Sequence, residues 1–119
     1  MLLEVFISHS SKDTELAGAL IELIRSAINV PSEHIRCSSV DGYRLPSGAS
    51  TDEQLKQEVR DAVCFAALLT PNSLQSAYVF FELGARWGAQ LRFVPLLAAG
   101  AVAADLRAPL SALNALACD

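Results

Sequence analysis

One glutamate in the chain lies in a setting that can support chemistry. Glu82 has two phenylalanines before it and a leucine after it, and an apolar environment raises the pKa of a carboxyl group or demands a charged partner. Tyr78 and Arg86 lie four residues on either side of Glu82, so all three share one face of a helix. Spacing alone favours a Glu82–Arg86 surface pair, which is worth roughly 0.3–0.5 kcal/mol. A reactive carboxylate is the alternative.

A group of small polar residues follows the first apolar run. The string is Phe6-Ile7-Ser8-His9-Ser10-Ser11-Lys12-Asp13. Between a strand and a helix, such residues expose backbone N–H groups that suit a phosphate or a carboxylate. Capping of the helix by Ser10 or Ser11 is the simpler interpretation, and the local chemistry favours it. His9 could contact a ligand, but one histidine without a placed acid and nucleophile makes no catalytic triad.

Several common sites are absent from the sequence. It contains no GxGxxG fingerprint and no GxxxxGK[ST] loop, which excludes the usual cradles for dinucleotides and nucleoside triphosphates. No cluster of His, Cys and acidic residues has the spacing of a metal site, so no metal is expected. A phosphoryl receiver needs an acid at the end of the central strand, where this chain has Thr70.

Composition indicates an ordered protein of one domain. The 119 residues are 52% hydrophobic and 18% charged, which excludes intrinsic disorder. The net charge of −4 argues against direct binding of nucleic acid. Three widely spaced cysteines favour a reducing compartment over a disulfide framework. No signal peptide or membrane-length apolar run is visible, so we expect a cytoplasmic protein without a membrane partner.

Short apolar runs alternate with amphipathic stretches, which is typical of βαβ units around a parallel sheet. Predicted strands cover residues 2–7, 34–38, 63–69, 93–97 and 113–118, and the wholly apolar third strand is placed in the centre. The first predicted helix begins at residue 13 and is stopped by Pro31. The second covers residues 53–62, and the third runs through residue 78 to about residue 89. The first helix shows one apolar face of a 3.6-residue period, formed by Leu16, Leu20, Leu23, Ile24 and Ile28.

The predicted architecture is a three-layer α/β sandwich. Ligands of such sheets bind outside the carboxyl ends of the strands, which points to the loops at residues 8–12, 40–50 and 70–76. The second of these belongs to a loop of about a dozen residues, a length that is more often functional than idle. Within it, Asp41, Tyr43 and Arg44 could touch a ligand or a neighbouring subunit, although solvation of the loop is the simpler interpretation for each.

Taken together, the three loop strings resemble the Toll/interleukin receptor (TIR) domain of the bacterial type. Residues 6–13 are similar to the family's first box, and residues 41–48, which end in Leu-Pro-Ser-Gly, resemble its BB-loop box. Residues 69–76, followed by Tyr78 and Glu82-Leu83, resemble the segment that carries the catalytic glutamate. The three matches occur in family order and cover about residues 3–98.

The resemblance implies a flavodoxin-like fold and, as in many bacterial members, NAD⁺ glycohydrolase activity with Glu82 as the catalytic residue. NAD⁺ would be the substrate, and no cofactor is implied. Glu82 can lie near the carboxyl edge only if its helix begins late, with Ser76 as N-cap. The substrate-binding residues implied by the resemblance are Phe6, Ser8, His9, Ser10, Tyr43, Arg44, Ser76 and Tyr78.

The resemblance also implies a setting and partners. Similar TIR enzymes act in bacterial antiviral defence, where they deplete NAD⁺ or make a cyclised ADP-ribose once a sensor domain assembles them. The loop at residues 40–50 of one subunit would complete the site of another. The chain ends about where the fifth strand should finish, so we expect the N-terminal module of a longer protein without the family's final helix. The family often has Trp-Cys where this chain has Tyr78-Val79, which weakens a prediction of ring stacking at Tyr78.

Two other functions stay open at this point. A non-catalytic TIR–TIR adaptor would be expected to lack the glutamate, and Glu82 is present. An enzyme similar to nucleoside 2-deoxyribosyltransferases shares the layout and also places a Glu before Leu-Gly-Ala, but its loop motifs differ from the string at residues 8–13. Both enzyme interpretations assign cleavage of an N-glycosidic bond to Glu82.

Overall fold

A parallel sheet dominates the computed structural model, which describes residues 3–45, 51–107, 110 and 115–118. Its five strands follow the order β2-β1-β3-β4-β5. They are β1 (Val5–Ser8), β2 (Ile35–Arg36), β3 (Cys64–Leu69), β4 (Val94–Leu97) and β5 (Leu116–Ala117). The predicted flavodoxin-like α/β fold is confirmed, and β3 lies in the centre as its apolar sequence indicates.

Helices cover both faces of this sheet. In the described ranges they are α1 (Thr14–Ala27), α2 (Thr51–Asp61) and α3 (Ala77–Gly88). Two clusters of buried side chains separate the layers, and they contain Ala17 and Ile21 of α1 on one side and Leu55, Val59, Val79 and Leu83 of α2 and α3 on the other. Because side chains alternate along a strand, Phe6 and Ser8 face α2 and α3, whereas Ile7 faces α1. None of these helices has both the length and the apolar character needed to cross a bilayer.

The buried face of α1 agrees with the prediction in part, since Leu16, Leu20 and Ile24 pack against the core on that side of the sheet. Ala17 and Ile21 are fully buried, whereas Leu23 is 65% exposed and Ile28 is 54% exposed. At 100° per residue, the stripe is centred on Ala17 and Ile21, and Leu23 projects about 140° away from that centre, on the solvent-facing side of the helix. Ile28 lies beyond the last helical residue. The prediction counted large apolar residues and omitted the small alanine that allows α1 to approach the sheet.

Most element boundaries differ from the prediction by one to three residues. The first strand reaches Ser8, the second is confined to Ile35–Arg36, and the third begins after the exposed Val63. The helix predicted over residues 53–62 is α2, which begins at Thr51. The fifth strand is observed at Leu116–Ala117, while residues 111–114 lie outside the described residues, as do residues 46–50 of the 40–50 loop.

Candidate active site

Glu82 lies where β1 and α3 meet at the carboxyl edge of the sheet. The Ser8 hydroxyl, at the last residue of β1, donates a hydrogen bond of 2.8 Å to Glu82 Oε1. Ser8 is only 1% exposed, so this bond forms at the margin of the core. The serine and the glutamate, from separate predicted motifs, are therefore brought together by the fold.

The start of α3 sets the height of Glu82 above the sheet. A short 3-10 turn at Ser73–Gln75 precedes Ser76, which is the N-cap of α3. The Ser76 hydroxyl accepts a hydrogen bond of 3.3 Å from the backbone N–H of Val79, which satisfies one free donor of the first helical turn. The late helix start that the sequence required is confirmed.

Burial raises the pKa of the Glu82 carboxyl to about 7, and the hydrogen bond from Ser8 opposes this rise only in part. Within the described ranges, the ion pairs join His34 to Glu4, Arg36 to Glu58, and Arg44 to Asp41, and none includes Glu82. Among the described residues, the ionised carboxylate therefore has no cation at ion-pairing distance. Such a group favours the arrival of positive charge in its vicinity.

The Glu82–Arg86 pair that spacing favours is not formed. Arg86 is 3% exposed and points into the fold. Its guanidinium donates to the backbone carbonyls of Arg92, Val59 and Arg60 at 2.7, 3.0 and 3.2 Å. It also lies 5.7 Å from the centre of the Phe65 ring. The arginine therefore fastens α3 to the end of α2 and leaves Glu82 unneutralised.

A groove runs between α2 and α3 beside Glu82. Its volume is about 440 Å³, and it is lined by Leu55, Lys56, Val59, Arg60, Tyr78, Phe81, Glu82 and Ala85. Tyr78 is about half exposed and lies one helical turn before Glu82 on the same wall. The α2 wall was not predicted, although the spacing of Leu55 and Val59 gave a signal for an apolar stripe on that helix.

Ser10 and Asp13 organise the loop between β1 and α1. The Ser10 hydroxyl accepts a hydrogen bond of 3.2 Å from the Lys12 N–H, so Ser10 caps a short 3-10 turn at Ser11–Asp13. The N-cap of α1 itself is Asp13, which makes no side-chain capping bond. Asp13 is buried and accepts hydrogen bonds of 2.5 Å from Thr70 Oγ1 and 2.8 Å from Asn72 Nδ2. This carboxylate joins two of the three predicted loops, and sequence reasoning did not assign it that role.

His9 occupies a buried cluster rather than an open surface. One ring nitrogen lies 3.1 Å from the Ile7 carbonyl, and the other lies 2.5 Å from the Ser39 hydroxyl. Cys37 Sγ lies 3.6 Å from the ring. Burial lowers the pKa of His9 and raises that of the Cys37 thiol to about 12. Ser39 was not among the predicted site residues.

The remaining predicted residues are not gathered around Glu82. Phe6 is buried in the core and stacks on Phe65 with ring centres 5.2 Å apart. Its side chain packs in the core beneath β1 and is not exposed at the carboxyl edge of the sheet. The Tyr43 hydroxyl accepts a hydrogen bond of 3.0 Å from Arg25, and Arg44 pairs with Asp41 on the surface.

Comparison with known proteins identifies the family. The family model described as "TIR domain" matches residues 5–118. A curated relative, the "Uncharacterized protein YddK" of Bacillus subtilis (strain 168), is 34% identical over 84 residues, which are 71% of this chain and 31% of the relative. This chain therefore spans about a third of the length of that relative.

A solved structure shows the same fold. It is the TIR domain of the Toll-related receptor TRR-2 from the lower metazoan Hydra magnipapillata, which superposes with a TM-score of 0.68. The likeness covers 95% of this chain and 82% of the other at 15% sequence identity, and it concerns the fold alone. With the family match over nearly all of the sequence, the chain belongs to the TIR-domain family.

Proposed function

We propose that this TIR domain is an NAD⁺ glycohydrolase that cleaves the bond between nicotinamide and ribose, with Glu82 as the catalytic residue. One observation supports the proposal most. A half-buried carboxylate with a pKa raised to about 7 lies at the carboxyl edge of the sheet, beside a groove with an aromatic wall. Among the described residues it has no cationic partner. A substrate with a positively charged ring supplies that missing charge.

The chemistry needs only one carboxylate. Cleavage of an N-glycosidic bond passes through an oxocarbenium-like centre on the ribose, as in glycoside hydrolysis. Nicotinamide takes the electron pair of the broken bond and leaves as a neutral molecule, so it needs no acid to protonate it. Glu82 is then free to hold ribose hydroxyls and stabilise the developing positive charge. Because only the ionised form does this, the rate should rise with pH through about 7.

The positions around Glu82 suggest how the substrate lies. Ser8 orients the carboxylate, and Ser76 fixes the helix that carries it. Tyr78 on the groove wall would contact the nicotinamide or the ribose. Backbone N–H groups of the 3-10 turn at Ser11–Asp13, which follows Ser10 and leads into α1, would face the diphosphate, because the N–H groups at the start of a helix attract anions.

Association between copies is part of the proposal. TIR domains generally associate with one another, and we propose that the 40–50 loop, with Tyr43 and Arg44, completes the site of a neighbouring subunit. A sensor domain would drive this association in bacterial antiviral defence. The product would be ADP-ribose when water attacks the ribosyl carbon, or a cyclised ADP-ribose when a nitrogen of the adenine ring attacks it.

The direct test is nicotinamide release from NAD⁺ by protein held at high density on beads, because association is expected to be needed. Glu82→Ala should abolish release, a loss of at least about 10²-fold. Glu22→Ala is the matched control, since Glu22 is an exposed acid on α1, and it should retain the wild-type rate.

A folded wild-type protein that releases no nicotinamide, either on beads or joined to a domain that forces association, would contradict the proposal. That result would favour the adaptor, whose function is TIR–TIR contact without catalysis. Equal activity in the wild-type protein and Glu82→Ala would assign the reaction to another residue.

A further inference from the structure

The contacts of His9 determine which of its ring nitrogens carries the proton. The Ile7 carbonyl, 3.1 Å from Nδ1, can only accept a hydrogen bond. Nδ1 therefore carries the proton in the neutral ring, and Nε2 presents a lone pair. The Ser39 hydroxyl lies 2.5 Å from Nε2 and donates to it. His9 and Ser39 thus form a base and a hydroxyl within hydrogen-bonding distance, with the base oriented by a third group.

Ser39 also contacts Thr14. Thr14 at the start of α1 lies with its hydroxyl 2.8 Å from the Ser39 hydroxyl oxygen. Ser39 remains partly exposed, unlike His9 and Cys37, which are buried. A water molecule at the edge of the sheet can therefore reach the Ser39 oxygen, while the imidazole behind it is shielded from solvent.

This pair lies at the same edge of the sheet as the proposed catalytic carboxylate. Ser8, which holds Glu82, ends β1, and His9 follows it directly, while Ser39 follows β2, the strand that lies beside β1. Cys37 contacts the His9 ring at 3.6 Å, and the Glu82 carboxylate contributes to the raised pKa of the Cys37 thiol. Glu82 and the His9–Ser39 pair therefore lie at one edge of the sheet, around the carboxyl ends of β1 and β2.

We propose that Ser39 takes the proton from the water that attacks the ribosyl carbon, and that His9 positions Ser39 and receives the proton Ser39 gives up. The inference rests on the proposed NAD⁺ glycohydrolase function. The carbon–nitrogen bond breaks, and nicotinamide leaves with its electron pair. The water oxygen forms the new bond to carbon and passes one proton to Ser39, while the Ser39 proton moves to Nε2 of His9. Because the imidazole is shielded, the imidazolium then returns a proton to solvent through the partly exposed Ser39 hydroxyl.

The proposed role of Ser39 distinguishes two reactions that both depend on Glu82. Hydrolysis requires a proton to be removed from water. Exchange of bound nicotinamide for isotopically labelled nicotinamide uses a ring nitrogen as nucleophile, which has no proton to lose. Both reactions need the stabilised ribosyl cation, whereas only hydrolysis needs a proton acceptor. The ratio of hydrolysis to exchange therefore reports on Ser39 independently of Glu82.

The experiment measures ADP-ribose formation and incorporation of labelled nicotinamide into NAD⁺, in the assembled full chain. Ser39→Ala should lower hydrolysis by about 10²-fold or more, the usual contribution of a positioned acid or base. Exchange should continue at a rate comparable to that of the wild-type protein. His9→Gln, which keeps a polar group beside Ser39 but cannot take up a proton, should show the same split. Ser38→Ala, at the exposed neighbouring position, should change neither reaction.

The possible results are distinct. A parallel loss of hydrolysis and exchange in Ser39→Ala would overturn the inference, because it would assign Ser39 a structural role. Unchanged hydrolysis in a variant that still exchanges nicotinamide would overturn it as well. If the wild-type protein catalyses neither reaction, the proposed function itself fails, and the inference fails with it.

Discussion

Two carboxylates at the same edge of the sheet have opposite surroundings. Asp13 is buried, and each of its oxygens accepts a hydrogen bond, one from Thr70 and one from Asn72. Glu82 is half-buried and accepts one hydrogen bond, from Ser8, in the part of the chain that the structure describes. Both donors to Asp13 are neutral and lie in the loop after β3, so they stabilise the Asp13 carboxylate and join that loop to the loop after β1. Glu82 lacks this support, and burial raises its pKa to about 7.

The comparison separates a structural carboxylate from a reactive one. A buried acid whose oxygens are all engaged has little capacity left for a ligand, and its removal leaves its donors without acceptors. An acid that is desolvated but poorly satisfied is destabilised in its charged form, and a cationic centre relieves that cost. The degree of hydrogen-bond satisfaction distinguishes the two roles more clearly than burial does, since Asp13 is the more buried residue.

The largest effect on stability is expected from Asp13→Ala. The substitution leaves Thr70 and Asn72 without their acceptor and disconnects the loops that follow β1 and β3. We expect the free energy of unfolding to fall by about 2–4 kcal/mol, measured by urea denaturation. Glu15→Ala is the control, because Glu15 is an exposed acid in the first turn of α1. An equal loss in both variants would attribute the effect of Asp13 to the helix dipole instead.

At Glu82 we expect a substitution to raise the free energy of unfolding, by less than Asp13→Ala lowers it. Its pKa in the folded protein, about 7, lies above the ordinary value of 4.5, so between these pH values the folded state binds more protons than the unfolded state. The free energy of unfolding then falls as pH rises through this range. Glu82→Gln removes this dependence and should be more stable than the wild-type protein above pH 7, by on the order of 1–2 kcal/mol after allowance for partial exposure.

Thermal unfolding of both proteins between pH 4 and 8 provides the measurement for Glu82→Gln. Glutamine retains an oxygen that accepts the Ser8 hydrogen bond, so the comparison isolates the charge. The two stabilities should converge near pH 4, where the wild-type carboxyl is protonated in both the folded and the unfolded state. A difference in stability that stays constant across this range would contradict the raised pKa.

The smallest effect is expected at Asp41, a third carboxylate whose partner is Arg44. Both side chains are exposed, at 86% and 57% respectively, so water screens their attraction. Asp41→Asn should change the free energy of unfolding by less than about 0.5 kcal/mol in the same urea experiment. A loss as large as that of Asp13→Ala would mean that this ion pair anchors the 40–50 loop.

The sequence predicted the fold and the position of Glu82 near the carboxyl edge of the sheet because both depend on local patterns, whereas the hydrogen bond from Ser8 to Glu82 was not predicted. Apolar runs and helical periodicity gave the order of strands and helices, and the N-cap residue Ser76 gave the height of Glu82. The partners of Arg86 could not be predicted in this way. A spacing of four residues shows which side chains share a helix face, but it does not show that three backbone carbonyls from other segments compete for the guanidinium.

Contacts between loops that are far apart along the chain could not be predicted from the sequence either. Thr70 and Asp13 are separated by 57 positions and His9 and Ser39 by 30, and each residue taken singly resembles a solvated loop residue. The carboxyl-edge rule correctly placed residues 8–12 and 70–76 at the same end of the sheet. Which hydroxyl meets which acid or imidazole depends on the sheet register and on the turn after β2, neither of which leaves a periodic signal.

The anchorage of Arg86 has a mechanical consequence for the groove. Its bonds to the carbonyls of Val59 and Arg60 hold the last turn of α2, where a helix otherwise leaves acceptors unsatisfied. Toward Glu82, α2 and α3 line the groove through side chains such as Leu55 and Tyr78. One buried side chain therefore sets the separation of the two walls of the groove, and we expect a substitution at Arg86 to change the width of the groove beside Glu82.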